Sequence, residues 1–272
     1  MDPKARNKIF YIIVLLIIVA AVLVAYLNTS SGPSQSHLVG MRVPASTLSL
    51  MKDIAMNSTL ASIIGSGSAA NFPLIENGTQ MYTNGKPTVL YFGADYCPFC
   101  AATRWGLILA LMRFGNFTVL HYMQSSPTDY SPSTPTFSFY NSSYSSNLIY
   151  FMGVETLTRN ETFLQAPNAL ENSTFDKYDL NNAQLPADER GGIPFVDFGN
   201  KSVQDGSEVD PLLIEKMSWD QIIQNLSNPN SQVSQAIIGN ADVFTAQICR
   251  IDNYTPASVC DQAYVKNILQ FS

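Results

Sequence analysis

Ten residues, Tyr91-Phe92-Gly93-Ala94-Asp95-Tyr96-Cys97-Pro98-Phe99-Cys100, constrain this chain more than any others. The apolar run Val89 to Phe92 has the length and composition of a buried strand. It leads through a Gly-containing turn into two cysteines spaced C-x-x-C. Ala101, Trp105, Leu107, Ile108, Leu111 and Met112 then recur at helical spacing, which predicts an amphipathic helix. The pair therefore falls where a strand passes into the first turn of a helix. Unpaired backbone N–H groups and the positive end of the helix dipole stabilise negative charge there. A thiolate is such a charge, and it is the form that attacks a disulfide. Pro98 suits a first helical position, where its missing N–H costs nothing. Cys97 is the expected exposed nucleophile and Cys100, one turn on, the expected resolving thiol. A structural disulfide and half of a zinc site are the alternatives. Zinc needs two further ligands, and His37, His121, Cys249 and Cys260 form no second tight pair. No metal and no cofactor is expected.

The N-terminus bounds the compartment. Ile9 to Leu27 is a 19-residue stretch without a charge. At ~1.5 Å per residue, such a helix crosses a hydrocarbon core. Lys4, Arg6 and Lys8 precede it, and the next basic residue after the span is Arg42. The positive-inside bias predicts a cytoplasmic segment 1–8, an uncleaved anchor 9–27, a polar tether 28–45 and an extracytoplasmic domain 46–272. Ten N-x-S/T sequons follow the anchor, which fits a glycoprotein, with Asn141 and Asn160 the foremost candidates. Charged residues are 13% of the chain, about half the usual share. The net charge of −6 offers no basic stripe, which excludes nucleic acid as a partner. A surface so poor in charge suits an acidic medium.

Along the domain, a helix is expected from Ser46 to about Ile64, and Phe117 to Met123 reads as a second strand of a strand–helix–strand unit. Residues 125–190 read as a loop-rich insertion carrying short aromatic strands at Phe137–Tyr140 and Leu148–Met152. The Phe/Tyr cluster there is read as core packing, with a groove for unfolded substrate as the alternative. Gly192-Ile193-Pro194-Phe195 opens a later strand with a proline, which belongs at a strand start, edge or bulge. The tail from Trp219 is helical. The pattern is α/β, a sheet with helices on both faces. Trp105 is expected in the core, His121 packed or hydrogen-bonded in its strand, and Asp95 exposed beside the dithiol.

Strand, Cys97-Pro98-Phe99-Cys100, helix and a later Ile-Pro strand together resemble the thioredoxin-like disulfide oxidoreductases. More closely, the chain resembles a membrane-anchored, mostly archaeal thioredoxin-like family labelled domain of unknown function 929. The resemblance is carried by Tyr96-Cys97-Pro98-Phe99-Cys100-Ala101-Ala102 with Arg104-Trp105, Arg113-Phe114-Gly115, Thr134 to Tyr140, Ile193-Pro194-Phe195 and the tail from Ala246 to Cys260. It implies a thioredoxin-like sheet and, by analogy, thiol–disulfide exchange on exported proteins with an unknown redox partner. Pro194 would sit beside the dithiol in a cis-proline loop, and Ile193 and Phe99 would contact substrate. Two departures stand out: Tyr91 occupies the place, six residues before the nucleophile, where thioredoxins hold a buried carboxylate, and no His lies between the cysteines. Cys249 and Cys260 read as a structural disulfide tying the last helix to the tail, or else as a second redox pair. The competing function is a non-catalytic surface module with a permanent Cys97–Cys100 disulfide.

Overall fold

Why the segment after Lys86 becomes the centre of the domain is clear from its neighbours in the computed structural model, which describes residues 35–271. The expected span 9–27 lies outside the described residues, and no helix among those described is long and apolar enough to cross a membrane. In chain order the elements are α1 (Ala45–Ala55), α2 (Ser58–Ile64), β1 (Leu74–Ile75), β2 (Tyr82–Thr83), β3 (Lys86–Gly93), α3 (Pro98–Phe114), β4 (Asn116–Gln124), β5 (Pro135–Ser145) and β6 (Tyr150–Glu155). There follow α4 (Ala169–Phe175), continued by a π-helical turn, then β7 (Phe195–Phe198), β8 (Ser202–Asp205), α5 (Trp219–Leu226), α6 (Gln232–Ile251), α7 (Ala257–Cys260) and α8 (Ala263–Phe271).

The main sheet runs β1-β8-β7-β3, with β2 pairing at the entrance of β3 and β6 running parallel to it. β7 lies antiparallel on β3, Val89 opposite Phe198 and Phe92 opposite Phe195. Both faces of β3 are covered, so its run is apolar without alternation. Val89 and Tyr91 join the larger core cluster, with Trp105, Ile108 and Phe244 of the two long helices. Leu90 and Phe92 point the other way, to Val154, Phe195 and Val203, with Phe175 and Tyr178 packed over them. Fully burying each such side chain is worth roughly 1.5–3 kcal/mol. The result is a mixed α/β domain with helices on both sides of a sheet.

Several expectations are corrected. The helix expected over 46–64 is two helices, because the Asn57 side chain accepts the Leu60 N–H and starts α2 afresh. α3 is not amphipathic: every residue except Phe99 is buried. It runs through the middle of the molecule, packed by α1, α6 and β5. The strand following it, β4, does not pair with β3. Its alternating burial suits a ribbon covered on one face, and it pairs with β5 in a separate two-stranded sheet. The parallel partner of β3 is β6, so the strand expected at Leu148–Met152 belongs to the main sheet and not to an insertion outside it. His121 is half-buried on β4 and bridges Arg42 through the backbone. Trp105 is fully buried and donates its indole N–H to Pro135 O at 2.8 Å. Phe137 and Phe139 are core residues, as the packing reading expects.

Cys249 and Cys260 form a disulfide, Cα–Cα 5.6 Å, between α6 and α7. Closing so short a loop stabilises the fold by about 2–3 kcal/mol in the chain-entropy model.

Buried carboxyls make the domain sensitive to pH. Asp197 on β7 has no exposed surface, and burial pushes its carboxyl up to about 7 against the hydrogen bond from the Asn200 N–H at 2.8 Å. Its unfolded value is ~3.9, so the folded state holds the proton more tightly. The stability this confers is complete below about pH 4 and is lost as pH rises through about 7, with a slope of at most ~1.4 kcal/mol per pH unit for this group. Urea unfolding midpoints should therefore fall between pH 5 and pH 8. A midpoint that rises over that range contradicts this assignment.

Candidate functional site

At the exit of β3 the chain turns through Gly93, Ala94 and Asp95 into α3. Gly93 is required there: a Cβ would stand 2.3 Å from the Tyr91 hydroxyl and 3.0 Å from the Cys100 sulfur. Cys97 is the N-cap of α3, with Pro98 at the first helical position, and its sulfur accepts the Cys100 N–H at 3.2 Å. From the segment before β7, Ile193 O accepts a hydrogen bond from the Cys97 thiol at 3.8 Å. The Ile193–Pro194 peptide bond is cis and leads directly into β7. The sheet therefore brings Cys97, Cys100, Ile193 and Pro194 together from segments 96 residues apart. Cys97 and Cys100 are both free thiols; Cys97, expected to be exposed, is buried at 5% because its sulfur is turned onto the α3 N-terminus and the Ile193 carbonyl, and Cys100 is 0% exposed. Phe99 is the exposed residue of the motif, at 40%, and stacks on Tyr130, ring centroids 5.6 Å apart. Tyr130 belongs to the loop before β5, which is tied to the dithiol turn by the Ser126 N–H donating to Tyr96 O at 2.7 Å.

The two thiols differ electrostatically. The Cys97 pKa is lowered, chiefly by the hydrogen bond from the Cys100 thiol, with further help from the Cys100 and Phe99 backbone N–H groups and the Arg104 charge, while burial opposes. The Cys100 pKa is pushed well up, first by burial and then by its bond to Cys97. Alkylation of the reduced protein with iodoacetamide at neutral pH should label Cys97 and spare Cys100. Faster labelling of Cys100 reverses their roles.

Behind the thiols lies a group of buried charges that sequence reasoning did not assign. Arg104, fully buried, donates through Nε to Glu155 Oε1 at 2.9 Å and through Nη2 to Glu155 Oε2 at 2.7 Å. Its Nη2 also donates to Ala94 O at 2.6 Å and lies 3.8 Å from Asp95 Oδ1. Glu155 closes β6, and burial pushes its carboxyl up against the pull of Arg104. Asp95, expected at the surface, is 2% exposed because the Arg104 side chain and β5 close over it; burial raises its pKa too, with Arg104 opposing. Tyr91, in place of a carboxylate, is fully buried under the Arg104 guanidinium, 5.6 Å from ring centroid to Cζ. One signal was present in the sequence: Arg104 stands four residues after Cys100 in a predominantly apolar helix, and a buried Arg demands a partner. Tyr130 had no comparable signal.

Asn141 and Asn160 are both exposed. Among the described residues no group of three or more His, Cys, Asp or Glu is placed to hold a metal ion.

An α/β domain with two free cysteines at a strand-to-helix junction, faced by an Ile-Pro loop, is the class that fold and site define. The model of one family, described as Domain of unknown function (DUF929), matches residues 74–250, and the chain belongs to that family. No curated protein and no solved structure matches it.

Proposed function

We propose that this protein is a thioredoxin-like thiol–disulfide oxidoreductase, tethered through residues 9–27 and acting outside the cytoplasm on exported proteins. The observation that carries the reading is the placement of the Cys97 sulfur, capping α3 and facing the Ile193 carbonyl at 3.8 Å. The strand order around it supports the fold assignment. β3 bears the dithiol, β6 is its parallel neighbour, and β7 with β8 follows antiparallel after the Ile-Pro loop.

Cys97 thiolate attacks one sulfur of a substrate disulfide, breaking the S–S bond and forming a mixed disulfide. Cys100 then attacks the Cys97 sulfur, releasing the second substrate thiolate and leaving a Cys97–Cys100 disulfide. The substrate is reduced by two electrons and the dithiol oxidised by two; run backwards, the same steps oxidise a substrate dithiol. Ionisation of Cys97 removes the donor that occupies the Ile193 carbonyl, which then accepts an N–H from an extended substrate strand. Pro194 fixes that loop, and Phe99 stacked on Tyr130 offers an apolar lip. The extracytoplasmic setting is supported by the Cys249–Cys260 disulfide and by the exposure of Asn141 and Asn160, the sequons we propose to be glycosylated.

Turbidity from insulin reduction and regain of activity by reduced ribonuclease, each in defined thiol–disulfide buffers, test the proposal. The full chain in detergent should catalyse at least one of the two. Absence of catalysis in both, across all buffers, removes it in favour of a non-catalytic surface module.

A further inference from the structure

β8 lies one strand beyond the Ile-Pro loop, and its last residue, Asp205, is a carboxylate without a counter-ion among the described residues. Asp205 stands opposite Phe195, and the Gly206 N–H donates to Pro194 O at 2.9 Å. A Cβ on Gly192 would be 3.4 Å from Asp205 Oδ1, so the carboxylate rests against the residue before Ile193. Asp205 and Glu189 line a cavity of about 390 Å³, together with the apolar side chains of Phe72, Leu185 and Pro186. Glu208 lines it too, but its carboxylate already accepts the Ala70 and Asn71 N–H groups. Among the described residues no Lys or Arg lines this cavity, and Arg190, next to Glu189 in the chain, donates to Leu185 O. Gln204 is a separate sign of a missing partner. It lines the same cavity, is 4% exposed, and its Oε1 accepts no hydrogen bond. Burial, then the charges of Asp179 and Glu189, push the Asp205 carboxyl up to about 7, the behaviour of an acid short of a cation.

We propose that this cavity is a subsite for a Lys or Arg side chain of the substrate, held by Asp205 and Glu189, so that the dithiol acts preferentially on disulfides in basic segments. The inference rests on the oxidoreductase reading and names its substrate class. A substrate strand extended along Ile193 has its backbone at the loop, and Asp205 lies about one strand spacing, ~4.8 Å, beyond it. A side chain that crosses this gap needs a long stem and a charge at its end. Lys and Arg have both. Phe72, Leu185 and Pro186 give the methylenes apolar surface while the cation meets the carboxylates. Gln204 Oε1 then accepts one of the N–H groups left over, since both side chains carry several donors and no acceptor. A Glu in the same place would face Asp205, Glu189 and Glu208 and be repelled.

The test follows thionitrobenzoate release from short peptides by the reduced full chain in detergent. Each peptide carries its single Cys as the mixed disulfide with thionitrobenzoate, and attack by Cys97 on the peptide sulfur releases the dye. Lys, norleucine or Glu is placed in turn at each of the three positions on either side of that Cys. At one position or more the Lys peptide should react about tenfold faster than the norleucine peptide, the size expected of one charge-assisted hydrogen bond, with Glu slowest. The advantage should shrink to about twofold in ~0.5 M sodium chloride, where exposed charges are screened within a few ångströms. In Asp205→Asn the ratio of Lys to norleucine rates should fall to about threefold or less, because only the exposed Glu189 is left to pair. Taking the ratio cancels any change at Cys97 itself. Equal Lys and norleucine rates at every position in the wild type overturn the proposal, as does an undiminished ratio in Asp205→Asn. Should that variant not fold, Glu189→Gln decides: its ratio should drop about threefold, and an unchanged ratio overturns the subsite. Release from every peptide no faster than with Cys97→Ser would instead overturn the oxidoreductase reading itself.

Discussion

Replacing Cys97 by Ser should reduce disulfide exchange to the uncatalysed rate, and replacing Cys100 by Ser should convert the protein into a trap. The difference follows from their positions. Cys97 is the helix cap with the lowered pKa, and its thiol faces the Ile193 carbonyl. A Ser hydroxyl there is far too weak an acid to ionise near neutral pH. Cys100 is buried and its pKa raised, so it contributes nothing to the first attack. Without it the mixed disulfide forms at Cys97 and is not resolved. Non-reducing electrophoresis of Cys100→Ser after incubation with an unfolded disulfide protein should show the adduct, lost on adding reductant. An adduct in Cys97→Ser but none in Cys100→Ser would exchange the two roles.

Arg104→Met should be the most destabilising single change near the site, by about 3–5 kcal/mol. Met keeps much of the length of the Arg side chain, so cavity effects are small. What is lost is the guanidinium that bonds both Glu155 oxygens and Ala94 O and neutralises Asp95 from 3.8 Å. Two buried carboxyls then face each other without a counter-ion. Arg104→Met combined with Glu155→Leu should regain most of the loss, because a buried ion pair replaced whole by apolar groups is often neutral. The residual cost should come from the Phe139 N–H, left without its partner, and from Asp95, left buried without its counter-ion. Urea unfolding of the two single variants and the double variant, taken as a cycle, gives the coupling. A double variant as unstable as the sum of the singles would show that the pair is not the coupled unit the contacts imply.

The same charges show where sequence reading stops. The cysteine pair, the helix it caps, the Ile-Pro strand and the Cys249–Cys260 bridge were legible because each rests on local chemistry: a cap, a proline, a short loop. β6 was recognisable as a strand, but not as the partner of β3. The α3 helix and the β4–β5 ribbon intervene, and nothing local specifies pairing across such a crossover. Asp95 looked exposed because it follows a strand end; its burial depends on Arg104 folding back from one turn beyond Cys100. Glu155 reads as an ordinary polar terminus of β6 until the parallel register puts it opposite Gly93, at the dithiol turn. Partners of that kind are fixed by tertiary register, and only the presence of Arg104 in a predominantly apolar helix hinted at them.

The reduction potential of the Cys97–Cys100 couple, measured by equilibrium with glutathione buffers, tests the central claim most directly. A dithiol that exchanges electrons with exported proteins should have a potential above about −300 mV; a value below about −300 mV would mark a permanent structural disulfide and contradict the account.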